Sequence, residues 1–90
     1  MPLVTALTDE EPQVREWAAR SLGFRKADDA VSSLIVSLKD KDSQVREASA
    51  WALGKIGNQS TEAALLAALQ DEDDQVREHA FRALEAVRKP

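Results

Sequence analysis

Apolar and polar positions along the chain recur with a fixed period. Leu7, Leu38 and Leu69 stand 31 residues apart, and so do Asp9, Asp40 and Asp71. The fullest copy runs Asp42-Ser43-Gln44-Val45-Arg46-Glu47 to Ala52-Leu53-Gly54-Lys55-Ile56-Gly57. One period upstream lies Pro12-Gln13-Val14-Arg15-Glu16, and one period downstream Asp74-Gln75-Val76-Arg77-Glu78. A period of this size marks a stack of repeated supersecondary units. Inside each unit the apolar spacing is helical. Val45, Ser49, Ala52, Leu53 and Ile56 fall within one arc of about 100° on a helical wheel. Val14, Ala18, Ser21 and Leu22 take the same arc one copy earlier, and Val76, Ala80, Ala83, Leu84 and Val87 take it one copy later. The spacing predicts long helices near 12–25, 43–56 and 74–88, with these arcs as core faces. Their many alanines and serines predict close helix approach.

Shorter apolar stripes separate the long helices. Ala30, Val31, Leu34, Ile35 and Leu38 predict a helix near 29–39, and Leu65, Leu66 and Leu69 one near 61–70. Residues 3–8 align with the second halves of these stripes. The first repeat therefore starts part-way through its first helix, either as an abbreviated terminus or as a piece of a longer array. Short connections force each helix antiparallel to its neighbour. The expected architecture is all-α, an α-solenoid of three antiparallel helix pairs in one domain, with repeats over about 1–26, 27–57 and 58–90.

Local punctuation supports these bounds. Pro12 suits a first helical position, where its missing N–H costs nothing. Asp42 and Asp73 suit N-caps of the long helices, and Asp28 or Asp29 and Ser60 those of the short ones. Gly57 suits a C-cap. Gly54 lies inside a helix at a cost of about 1 kcal/mol relative to alanine, which predicts tight packing there. Glu85 and Arg88 replace the two glycines in the last repeat, as expected of a terminal, capping unit.

Composition narrows the function classes. A hydrophobic content of 43% with 31% charged residues is that of a folded chain rather than a disordered one. The net charge of -4 argues against general phosphate-backbone binding, so no nucleic-acid partner is expected. With no cysteine, thiolate nucleophiles, thiolate metal sites and disulfides are excluded. No apolar run approaches the roughly 20 residues a bilayer span needs, so no membrane partner is expected, and a cytoplasmic location follows by default. The acidic run Asp71 to Asp74 lacks the glycine and distal glutamate of a calcium loop and reads as capping. Asn58-Gln59-Ser60 matches a glycosylation acceptor, but with no secretory signal it reads as a turn. No phosphate loop, HExxH or nucleophile elbow is present, so no catalytic residue, metal site or cofactor is expected and the chain does not read as an enzyme.

The pattern Asp, five residues, then Arg preceded by Val, followed by Ala-Leu-Gly-x-Ile-Gly, resembles the HEAT repeat, and within it the short PBS-lyase HEAT-like subclass. Asp40, Val45, Arg46, Ala52, Leu53, Gly54, Ile56 and Gly57 carry the resemblance best. It implies that the second helix of each pair lines a concave face. It also implies that Asp9, Asp40 and Asp71 with Arg15, Arg46 and Arg77 form a hydrogen-bonded ladder between repeats.

A second stripe runs along the long helices about 120° from the core arc. It comprises Gln13, Trp17, Arg20 and Phe24; then Gln44, Ala48, Trp51 and Lys55; then Gln75, His79, Arg82 and Ala86. Glu16, Glu47 and Glu78 lie beside it. Beyond the shared glutamine these positions change in character from copy to copy, while the core arcs stay apolar or small. Trp and Arg are also the types most enriched at binding hot spots. We therefore take Gln13, Trp17, Arg20, Phe24, Gln44, Glu47, Trp51, Lys55, His79 and Arg82 as candidate partner-binding residues. Structural alternatives stand beside this reading. Trp17 lies about 60° from core positions and could pack against the next repeat. Trp51 could do the same, and Phe24 could cover the 26–28 loop. His79 reads as a partly buried surface residue, because no acid or second histidine on its own helix has metal-ligand spacing. Phe81, where the other copies have Ala19 and Ala50, caps the array or contacts another copy.

The expected function is a protein–protein interaction or scaffold module that binds a protein or peptide on its concave face. A subunit of a bilin lyase-type enzyme is the alternative the resemblance allows. Self-association is the other, since Leu3, Val4 and Leu7 lack a full covering helix and solenoid ends expose apolar faces.

Overall fold

The computed structural model describes residues 2–89. Among these residues six α-helices follow one another: α1 (Leu3–Ala6), α2 (Pro12–Phe24), α3 (Val31–Ser37), α4 (Ser43–Ile56), α5 (Glu62–Ala68) and α6 (Asp74–Arg88). No strand occurs among the described residues. The long helices α2, α4 and α6 start and end where the pattern places them, to within a residue. Pro12 opens α2. The Asp42 carboxylate accepts the Gln44 and Val45 amides, and Asp73 accepts those of Gln75 and Val76. Each cap satisfies donors that a helix N-terminus otherwise leaves open.

The short helices are shorter than the stripes suggest. Each is entered through a 3-10 turn, Asp28–Ala30 before α3 and Gln59–Thr61 before α5. Asp28, Asp29 and Ser60 do not cap them. The residue that precedes the turn is the one placed to cap it. In the second case Asn58 does so, accepting the Ser60 amide at 2.8 Å, whereas the equivalent residue in the first case is Ala27, which has no acceptor. Asp28 instead accepts the Asn58 side-chain amide at 3.2 Å and ties two successive inter-repeat turns together.

Two layers result. The long helices pack side by side, α2 on α4 and α4 on α6, while α1, α3 and α5 each lie on their own long helix. Glycine sets the first of these spacings. A Cβ on Gly23 would stand 2.8 Å from the Ala52 Cα, and one on Gly54 would stand 2.9 Å from the Ala83 Cα. Ala18, Ala19, Ala48, Ala50 and Ala52 are fully buried at the same contacts. The short helices stay apart, and open grooves lined by Ile35 separate α1 from α3 and α3 from α5. A layer drawn tight on one side and splayed on the other must curve, so the long helices form its inner side. Leu34, Leu53 and Leu65 fill the space between layers and are fully buried. The buried Ser49 hydroxyl donates to the Val45 carbonyl at 2.8 Å, so no cost of an unpaired polar group arises.

The ends of the long helices repeat as well. Gly57 closes α4 at φ 72°, its amide donating to the Leu53 carbonyl at 3.0 Å. Lys26 takes the same place after α2 at φ 51°. A side chain there costs about 1 kcal/mol that Gly57 avoids. In the last repeat Arg88, standing where a glycine is expected, pairs with Glu62 at 2.6 Å and joins α6 to α5.

Arginine joins the loops. Arg15 Nε and Nη2 donate to the Asp40 carboxylate at 2.8 and 3.0 Å, while its Nη1 donates to the Asp9 and Glu10 carbonyls at 2.8 and 3.0 Å. Arg46 repeats the arrangement one period on, reaching Asp71 at 2.9 and 3.2 Å and the Asp40 and Lys41 carbonyls at 2.8 and 3.3 Å. Both arginines are buried. The ladder thus has two closed rungs, with Asp9 and Arg77 at its two ends.

Candidate functional site

The variable stripe comes together around Trp51. The indole lies against Gly23, where a Cβ would stand 2.8 Å from Trp51 Cζ3. Phe24 meets the ring edge-on with centroids 5.0 Å apart at 63°. Lys55 Nζ stands 5.8 Å from the ring centroid, within reach of a cation–π interaction. Helix α2 therefore supplies the floor and one wall, and α4 supplies the ring and the cation. Beyond the ring a shallow groove runs between α4 and α6, lined by Trp51, Gly54, Lys55, His79, Arg82 and Ala86. The small residues that let the helices approach also leave this groove without bulk.

Charged residues border it in pairs. Arg20 reaches Glu16 at 3.2 Å and Arg82 reaches Glu78 at 2.6 Å, each one helical turn apart. Such exposed pairs add little to stability and are open to exchange with a partner. His79 Nδ1 lies 2.9 Å from the Gln75 carbonyl and 3.6 Å from Glu47 Oε2. That acid comes from α4, one helix away. A wheel drawn for α6 alone cannot find it; the neighbour relation between adjacent long helices could. Gln13 and Gln44 are exposed near the starts of α2 and α4.

Trp17 lies apart from this cluster, contrary to its place in the stripe. Its repeat equivalents are Ala48, fully buried, and His79, which faces Glu47 of the preceding long helix. Position 17 thus points toward the place where a preceding repeat would lie, and Trp17 is 55% exposed there. About 200° of helical turn separates it from Ala19, which is buried toward α4.

Phe24, Trp51, Lys55, His79, Arg82 and Glu47 thus form one surface, with Arg20 beside it. It offers an aromatic shelf, two cations and small-residue gaps. Among the described residues no three acids or histidines are grouped to hold a metal ion. Among them, too, no helix is long and apolar enough to cross a membrane.

Comparison with known proteins agrees with this architecture. The family model for HEAT repeats matches residues 1–90. The chain is similar to a solved complex of CpcE and CpcF of phycocyanin lyase from Nostoc sp. PCC7120. The identity is 31% and the TM-score 0.89, covering 94% of this chain and 35% of that one. It is equally similar to human deoxyhypusine hydroxylase in complex with glycerol, at 30% identity and TM-score 0.89, covering 94% of this chain and 30% of that one. An engineered protein matches at 29% identity and TM-score 0.72, over 94% of this chain and 43% of that one. The chain thus spans about a third of the two natural structures. No curated protein sequence matches it. Three in-register repeats, the closed arginine–aspartate rungs and the match over residues 1–90 place the chain in the HEAT repeat family.

Proposed function

We propose that the chain is a binding module that holds a protein or peptide segment along the inner side of α4 and α6. The observation that carries this reading is Trp51. It is only partly covered, yet it is held on three sides by Gly23, Phe24 and Lys55. A ring fixed in this way gives a partner apolar area at little entropic cost, as binding hot spots do. The rim residues Arg20, Lys55 and Arg82 supply polar contacts, and nothing in the set supports catalysis by the chain itself. The test is selection of binders from a random displayed peptide library against the folded chain, followed by titration of the enriched peptides. Trp51→Ala is expected to weaken them by about 2 kcal/mol, roughly thirtyfold, with the circular dichroism unchanged. Peptides that bind wild type and variant alike would place the site elsewhere.

The likeness to a phycocyanin lyase complex favours a second reading, in which this chain is the repeat module of a bilin lyase-type subunit. Absorbance of a free bilin on mixing with the chain tests it. A shift that Trp51→Ala abolishes would support the second reading, and an unchanged spectrum would leave the peptide site as the function.

A further inference from the structure

The two ends of the array leave open the groups that pair inside it. At the first end, Asp9 accepts the Glu11 amide at 2.9 Å, just as Asp40 accepts that of Asp42 and Asp71 that of Asp73. Its loop is thus built like the other two, which each receive an arginine from the repeat before. Among the described residues no cation lies within ion-pair distance of Asp9. At the other end, Arg77 keeps only one rung bond, from Nη1 to the Asp71 carbonyl at 2.6 Å. It is exposed, and among the described residues no carboxylate pairs with its guanidinium.

The helix faces match in the same register. Within the chain each long helix meets the next at an offset of 29 residues, Gly23 on Ala52 and Gly54 on Ala83. If a second copy continues the stack beyond α6, the same offset sets Phe81 against Trp17 of that copy and Glu85 against its Ser21. Phe81 and Trp17 are 56% and 55% exposed, although of the positions that correspond to them Ala19, Ala48 and Ala50 are fully buried and His79 is partly buried. Glu85 in place of glycine forbids the backbone approach seen inside the chain. A joint between copies must therefore be wider than the internal ones, and an aromatic pair supplies that width.

We propose that the chain associates head to tail with a second copy of itself, Arg77 of one closing on Asp9 of the other while Phe81 packs against Trp17. This surface is separate from the groove around Trp51. The arrangement is heterologous, so it does not stop at two copies unless the rotation closes a ring. A reversed pairing of two first ends would set Asp9 against Asp9.

The test is sedimentation velocity and light scattering from micromolar to near-millimolar chain, for wild type, Asp9→Arg, Arg77→Asp, their equimolar mixture and the double variant. The wild type is expected to grow in mean mass past the dimer, and less so in high salt. Each single reversal is expected to weaken association at least tenfold. The mixture restores it. At one joint the Arg77 that the first variant keeps meets the Asp9 that the second keeps, and at the next joint the two introduced side chains pair with opposite charge. The double variant restores association by the swapped pair alone, which also shows that both substituted positions are compatible with folding. A mass that stays at one chain throughout, growth that stops at a dimer insensitive to the reversals, or single reversals that associate like the wild type would each overturn the proposal.

Discussion

Replacing Arg46 with alanine is expected to lower the unfolding free energy by about 3–5 kcal/mol. Arg46 is 9% exposed, and its guanidinium uses three nitrogens on two loops. Its loss strands the Asp71 carboxylate, whose side chain is only 11% exposed, and removes donors from the Asp40 and Lys41 carbonyls. An uncompensated buried charge is the costly outcome, more than the lost attraction itself. A chain of this length has a total stability of about 5–13 kcal/mol, so the variant should be near its unfolding midpoint at modest urea. Arg77→Ala, at an exposed position, is expected to stay within about 0.5 kcal/mol of wild type. Urea titrations followed by circular dichroism measure both, and a loss below about 1 kcal/mol for Arg46→Ala would show that the rungs do not hold the repeats.

The same rungs set an acid limit. Burial pushes the Asp40 carboxyl up, but hydrogen bonds from Arg15 and the Asp42 amide, with the charges of Arg15 and Lys41, bring it below its ordinary value. Between the folded value and the ordinary one of about 4, the unfolded chain holds more protons than the folded chain. Asp40 therefore contributes its full share of stability above about pH 4 and loses it as pH falls through the lower, folded value. The urea midpoint is expected to drop on acidification below that point, and Asp40→Asn should show a shallower slope there from a lower starting midpoint. Equal slopes for the two proteins would remove Asp40 as a source of the acid response.

The long helices and their caps were legible because local chemistry fixes them. Asp42 and Asp73 act on amides two and three residues away, and the core arcs of α4 and α6 need only their own periodicity. The short elements were less legible, since a 3-10 turn opens both of them although Ala27 before the first has no capping side chain and Asn58 before the second does. The candidate site was legible as a list of variable positions but not as a shape. A wheel gives the angle of Trp17 yet does not say which neighbour lies at that angle, so Trp17 falls in one stripe with Trp51. The contact of His79 with Glu47 and the floor that Gly23 gives Trp51 depend on the offset between helices, which only the stacked structure supplies. The ladder was accessible through family resemblance alone, because Arg15 and Asp40 lie 25 residues apart with no local signal joining them.

That offset makes Gly54, like Gly23, a position where any added side chain strikes the next long helix. A Cβ at this position stands 2.9 Å from both the Cα and the Cβ of Ala83, well inside ordinary carbon contact of about 3.5–4.0 Å. Ala83 is buried helix backbone and has no rotamer by which to yield. Helix α6 as a whole must move away from α4. Alanine at 54 gains about 1 kcal/mol of helix propensity and loses about 1–3 to the clash, so a net loss of about 1 kcal/mol is expected. Valine adds two methyls and gives back much of the propensity gain, so Gly54→Val is expected to cost about 3 kcal/mol. The equivalent Glu85→Ala has no neighbouring repeat within the chain to strike, and it should leave stability unchanged or slightly raised. Gly54 also lines the groove beside Trp51 and Lys55, so moving α6 outward should expose the indole and shift its emission to the red. The two signals separate a local effect from a helix displacement. A Gly54→Ala variant stabilised by the full propensity gain, with unchanged Trp51 emission, would mean that α4 and α6 part at no cost and that glycine is not what sets the curvature of the inner side.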